Sequence, residues 1–360
     1  MTNVAEKVKQ INNLNDLFEV LFTTIENDSL EVDQILSQHL TAYGVFESEE
    51  KALSYLHELD EHLNQIDKDF FSLREAKRNG YSRSQWLMKE LEHSFENVPD
   101  RKNEIIEAMK KGLSGSNNSL FYSLFHENEV ISNQLNDYNF EGLNKSAVIK
   151  DFLKDIQDNT VLHTLLLSQQ ENKGENNETN GNKTLQDFFT QGLEGSSDRL
   201  VKKVTTSGLL IAKKKAWIPS LEGKTDDELA LLADKAVNMV KVAYKVAKGE
   251  INPMDAVDHL IDKTTAAVCT TVKRTCELGG AKIGKAVGTY IGSLLGPAGS
   301  IVVGQIGENL GTLAGNQVGH FISSGIEKIS TKTKEIVRDT YETVKSKASQ
   351  AWSKVKSWFN

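Results

Sequence analysis

Cysteine and proline are scarce: two and four, respectively, in 360 residues. Cys269 and Cys276 stand seven apart in a helical pattern, which sets their backbones about 10 Å apart and excludes a bridge between them. Unpaired thiols fit a reducing compartment. Proline is confined to Pro99, Pro219, Pro253 and Pro297, leaving long stretches open to helix. No segment alternates apolar and polar residues long enough to predict a strand. The opening stretch, MTNVAEKVKQINN, has no apolar h-region. No secretory signal is therefore expected, and synthesis in a cytoplasm is.

Familiar chemical motifs are also missing. GGAKIGKA at 279–286 satisfies G-x-x-x-x-G-K but ends in Ala286, where a phosphate loop needs Ser or Thr for magnesium. In HELDEH, His57 and His62 are five apart, a rotation of about 140° that takes them off a common face. The other histidines show no ligand spacing, and no nucleophile is matched to a base. No catalytic residue, cofactor or metal is expected.

What is present is helical periodicity. Val4, Val8, Ile11, Leu14, Phe18, Leu21 and Ile25 form one stripe; Leu53, Leu56, Leu59, Leu63, Ile66, Phe70 and Leu73 form another. Shorter apolar clusters at 86–91, 105–109, 120–125, 148–156 and 161–167 continue the pattern. Residues 1–167 read as an acidic helical bundle. SQQENKGENNETNGNKT, 168–184, then has no apolar residue and predicts a disordered linker.

Beyond it, 185–278 reads as a basic helical module. Its last helix is marked by Asn252 as N-cap, Pro253 at the first helical position and Asp255 in the first turn. Residues 1–184 hold 18 Lys and Arg against 32 Asp and Glu, and 185–360 hold 24 against 18. The opposite signs fit a contact between the two halves, or a basic half directed to an anionic surface.

Glycine is concentrated where a helix is expected. Gly280, Gly284, Gly288, Gly292 and Gly296 recur every fourth residue, and so do Gly307, Gly311, Gly315 and Gly319. A step of four returns nearly to the same side of a helix, so each arm carries a groove bare of side chains. Beside the second groove run Ile306, Leu310, Ala314, Val318 and Ile322. Nine such glycines cost roughly 9 kcal/mol in water unless close packing offsets it. Small-xxx-small rows let helix backbones approach closely within lipid.

GPAG at 296–299 predicts a turn between the arms, and Ala286 to Ile326 contains a single formal charge, Glu308. Each arm is near the ~20 residues that span a bilayer. Gln305, Asn309, Thr312, Asn316 and His320 share one face of the second arm, with Glu308 beside it. In an assembly of copies this stripe would face a water-filled lumen; in a soluble bundle it would face water. A membrane anchor without a pore is the third use. Residues 279–325 resemble the glycine-zipper hairpins of bacterial membrane-associated proteins, and the resemblance implies membrane association and self-assembly.

The last stretch, 327–360, reads as a basic amphipathic tail helix with 8 basic and 4 acidic residues. Lys345, Lys347, Lys354 and Lys356 lie off its apolar stripe, and Trp352 and Trp358 suit the headgroup boundary of an anionic membrane. Nucleic acid is not expected, because the aromatics lie in the apolar stripe and not among the basic residues. The expectation is an all-α, self-associating protein acting on anionic membranes, as a conditional pore former or toxin-like effector. The competing expectation is a soluble helical scaffold or interaction protein in which the zipper is an intramolecular contact.

Overall fold

The computed structural model describes residues 11–27, 31–105, 183–251 and 253–278, together with Leu310 and Leu313. Among the described residues the chain is all-α, with α1 Leu14–Asn27, α2 Val32–Ala42, α3 Glu49–Arg78 and α4 Arg83–Glu96 before residue 106. After residue 182 come α5 Lys183–Thr190, α6 Ser197–Lys214, α7 Asp226–Ala247 and α8 Pro253–Leu278.

Local chemistry sets the helix ends. The Ser48 hydroxyl accepts from the Lys51 amide at the start of α3. Ser82 with Gln85 and Thr225 with Glu228 form capping boxes that satisfy otherwise unpaired amides of α4 and α7. Gly80 and Gly249, at φ 87° and 75°, follow α3 and α7 in the left-handed region that a side chain disfavours. α8 starts at Pro253 with Asp255 in its first turn. Asn252, its expected cap, lies outside the described residues.

α5 begins at Lys183, two residues before the compositional boundary of the linker. Leu185, Phe188 and Phe189 are buried, and this anchorage carries the helix back over polar residues that composition alone assigns to the linker. The remainder of 168–182 lies outside the described residues.

The helices enclose two cores. The first joins α1, α2 and the front of α3 (Ala52, Leu56, Leu59, Leu63) to α5, α6 and much of α7. The second joins the rear of α3 (Ile66, Phe70, Leu73), α4 and Ile105 to α8 and to Leu231, Val242 and Val246 of α7. At 30 residues, α3 extends for about 45 Å and serves both. The stretches before residue 106 and after residue 182 therefore complete each other's interior.

α6 sits at the centre of the first core, packed by α1, α2, α3, α5 and α7. It is buried from Val201 continuously to Ala212, unlike a helix with one dry face. Where α1 crosses it, Gly208 leaves room for the Phe18 ring: a Cβ there would stand 2.3 Å from Phe18 Cε1. Thr206 of α6 and Thr265 of α8 place their buried hydroxyls on the carbonyl four residues back, those of Lys202 and Ile261, both at 2.8 Å.

Candidate functional site

Most of the sequence-predicted site falls beyond the described residues. This holds for the groove glycines Gly280, Gly284, Gly288, Gly292, Gly296, Gly307, Gly311, Gly315 and Gly319. It also holds for Gln305, Glu308, Asn309, Thr312, Asn316 and His320, and for the tail residues Lys345, Lys347, Trp352, Lys354, Lys356 and Trp358. Two residues of the second arm are described. Leu310 is wholly buried as a member of the first core, and Leu313 packs against it. Among the described residues no helix is long and apolar enough to cross a membrane.

The second notable feature is charge inside the bundle. Lys202 of α6 pairs with Asp234 of α7 at 2.6 Å and lies 3.9 Å from Asp67 of α3. Lys263 of α8 joins Asp67 at 3.0 Å and Glu194 at 2.7 Å. Burial opposes the charge on Lys202, but the carboxylates of Asp234 and Asp67 outweigh it and raise its pKa. Lys241 and Asp198 form another buried pair; burial disfavours both charges, lowering the lysine and raising the aspartate.

A further cluster joins α3 and α4 to α8. Asp258 and Asp262, one turn apart on α8, receive Lys77 at 2.8 and 2.9 Å. Arg83 donates to Asp262 at 2.7 Å and also to Asp258. Burial alone would raise Asp258, yet the Lys77 and Arg83 cations hold its carboxyl below the usual range. Nearby, His259 is kept neutral by burial and then by the Lys263, Arg74 and Lys202 cations, its pKa lowered to about 3. Its ring stands 5.1 Å from that of Phe70.

These groups tie helices together and leave little reactive chemistry. Burial, followed by the Asp69 carboxylate, pushes the Cys269 thiol well up, and burial raises Cys276. Neither is a thiolate nucleophile near neutral pH. Among the described residues no group of His, Cys, Asp or Glu is arranged to hold a metal ion. His57 is exposed, with 77% of its side chain accessible, whereas His62 is 7% exposed. The five-residue spacing thus sends the two rings to opposite environments.

One open cavity of about 460 Å³ lies where α3, the start of α7 and the end of α8 meet. Tyr55, Glu58, Leu59, His62, Thr225, Asp226, Asp227, Ala230 and Arg274 line it. Neither this cavity nor the buried pairs was anticipated from the sequence. The available signals were Tyr55, Glu58, Leu59 and His62 on one helical face, and Asp258 and Asp262 one turn apart. Both patterns also occur on ordinary solvated helices.

No family model matches the sequence and no solved structure matches it. Over 172 residues the chain is 28% identical to the uncharacterized protein YfjB of Bacillus subtilis (strain 168). That similarity takes in 47% of this chain and 40% of YfjB, less than half of either protein.

Proposed function

We propose that this is a membrane-associating, self-assembling helical protein whose folded helices hold one arm of the glycine-zipper hairpin until it is released. In this reading it is a conditional pore-forming or toxin-like effector directed to anionic membranes. The supporting observation is Leu310, 0% exposed within the first core. A leucine buried there cannot at the same time face lipid, so membrane entry of the second arm requires that the contact open first. Withdrawing such a side chain from a core costs roughly 2 to 3 kcal/mol, a small enough barrier for a lipid surface to offset.

The same burial favours one alternative, a soluble scaffold or interaction protein in which the arm stays where it is. Leu310→Asp in the full-length chain separates the two. Under the first reading the variant floats with anionic vesicles and releases entrapped dye more than the parent does, and adding Gly288→Leu and Gly311→Leu abolishes both gains. A variant that loses stability without gaining vesicle association supports the scaffold instead.

A further inference from the structure

α8 packs along α3, and each of the two helices carries one buried histidine that faces the other. His259, near the start of α8, sets its ring 5.1 Å from that of Phe70 on α3. His62 of α3 lines the same cavity as Arg274, near the end of α8. The two histidines are 4% and 7% exposed. His62 Nε2 has no hydrogen-bond partner among the described residues.

The charges around each ring oppose a further proton. His259 faces Lys263 and Asp258 of α8, Arg74 of α3, Lys202 of α6 and, at 3.4 Å, Glu194 of the α5–α6 connection. Asp258 is already taken by Lys77 of α3 and Arg83 of α4, and Glu194 by Lys263 at 2.7 Å. A proton on this ring would join three cations in a dry site. His62 faces Arg274 of α8 and the Asp227 and Asp234 carboxylates of α7, with Tyr55, Glu58 and Asp226 at the same cavity. Burial and then Arg274 outweigh the two carboxylates and lower its pKa.

Both rings are thus uncharged in the fold and gain a proton readily only when α3 and α8 part. With a pKa of about 3 in place and about 6.5 once released, His259 favours the open form about 25-fold more at pH 5 than at pH 7. The Asp258 anchor does not answer in that window, because Lys77 and Arg83 hold its carboxyl below the usual range. Glu194, raised by burial, opposes opening by binding a proton in place. No buried residue of α8 belongs to the first core, so α8 can leave without breaking it.

We propose that the α3–α8 interface is an acid-released latch, closed at neutral pH by two uncharged histidines and opened near pH 5 while the first core stays intact. α8 ends at Leu278, immediately before the glycine-rich stretch, so its opening puts the hairpin under the control of pH. That last step rests on the membrane reading above.

Hydrogen exchange of the full-length chain at pH 7 and pH 5, scaled for the intrinsic effect of pH on amide exchange, tests the latch. Protection of α8 should fall at least about tenfold more than that of α1 and α6. His259→Gln and His62→Gln each leave a neutral side chain of similar size. Each should shrink that fall, and the double variant should remove it. If His259→Gln does not fold, His62→Gln alone makes the comparison. Unchanged protection of α8 at pH 5, equal losses in α1 and α6, or variants that respond as the parent does overturn the latch. A loss confined to α2 does so too, because buried His39 would then be the responsive ring. Dye release from anionic vesicles at the two pH values reads the membrane step separately. Opening of α8 without release leaves the latch standing and removes the hairpin step.

Discussion

Lys202 and Asp234 meet at 2.6 Å across α6 and α7, with side chains only 2% and 3% exposed. Desolvating two charges is costly, and such a pair is tolerated because each partner neutralises the other. Lys202→Met should therefore cost about 3 to 5 kcal/mol by leaving Asp234 buried alone. The double variant Lys202→Met with Asp234→Leu should recover most of that loss. Urea midpoints of the two proteins check this, and a single variant as stable as the parent would refute it.

Gly208→Ala offers a contest between two opposing effects. Alanine improves helix propensity by about 1 kcal/mol, but its Cβ would stand 2.3 Å from Phe18 Cε1 in a wholly buried ring. Overpacking typically costs about 1 to 3 kcal/mol, so a net loss is expected. Phe18→Leu in the same chain should shrink the penalty, because the space then exists. Paired thermal melts read both outcomes.

Acid should weaken the bundle through His259. Its pKa is lowered to about 3 in the fold and returns to about 6.5 on unfolding. The unfolded chain thus takes up the proton first, and stability falls as pH drops below about 6.5 toward 3. Asp198 and Glu194, raised by burial, oppose this by taking up protons while folded. Comparing the parent with His259→Gln at pH 7 and pH 5 isolates the histidine. The variant should lose less stability between the two pH values.

Leu310→Ala tests whether the second arm belongs to the cooperative fold. Removing a wholly buried leucine costs about 2 to 5 kcal/mol when its surroundings unfold as one unit. The expected result is a lowered midpoint in a single transition. A separate early transition, with the main one unchanged, would show the arm to be an independent element.

The helical pattern was legible because apolar spacing reports a buried face directly. Leu14, Phe18, Leu21, Leu56, Leu59, Leu63, Ile66, Phe70 and Leu73 are all buried as their spacing predicts. Ile25 is only partly buried, and Leu53 is 38% exposed while its neighbour Ala52 takes the inward position one step around the helix. Hydrophobicity ranks leucine above alanine, but the packed surface selects by angle.

Buried charge was not legible. The lysines of α6 belong to what reads as a basic module, yet Lys202 enters the interior, where Asp234 and Asp67 meet it. Lys263 meets Asp67 from 196 positions away. Periodicity within one helix contains no information about such partners. The opposite signs of the two halves hid a two-way exchange. Lys77 and Arg83 of the first half serve Asp258 and Asp262 of the second, while Lys263 and Lys273 of the second serve Asp67 and Asp69 of the first. The cavity escaped for the same reason, since one wall comes from α3 and the others from α7 and α8, far along the chain.

Placing α6 among partners drawn from both sides of residues 106–182 has a consequence for biosynthesis. When Ile105 leaves the ribosome, the inward faces of α1 to α4 lack the partners that α5 to α8 supply, and α8 is completed only after translation reaches Leu278. At typical rates that interval lasts roughly 10 to 35 seconds. During it the nascent chain must keep its leucine-rich stripes from foreign surfaces, which makes it a natural client for chaperone binding.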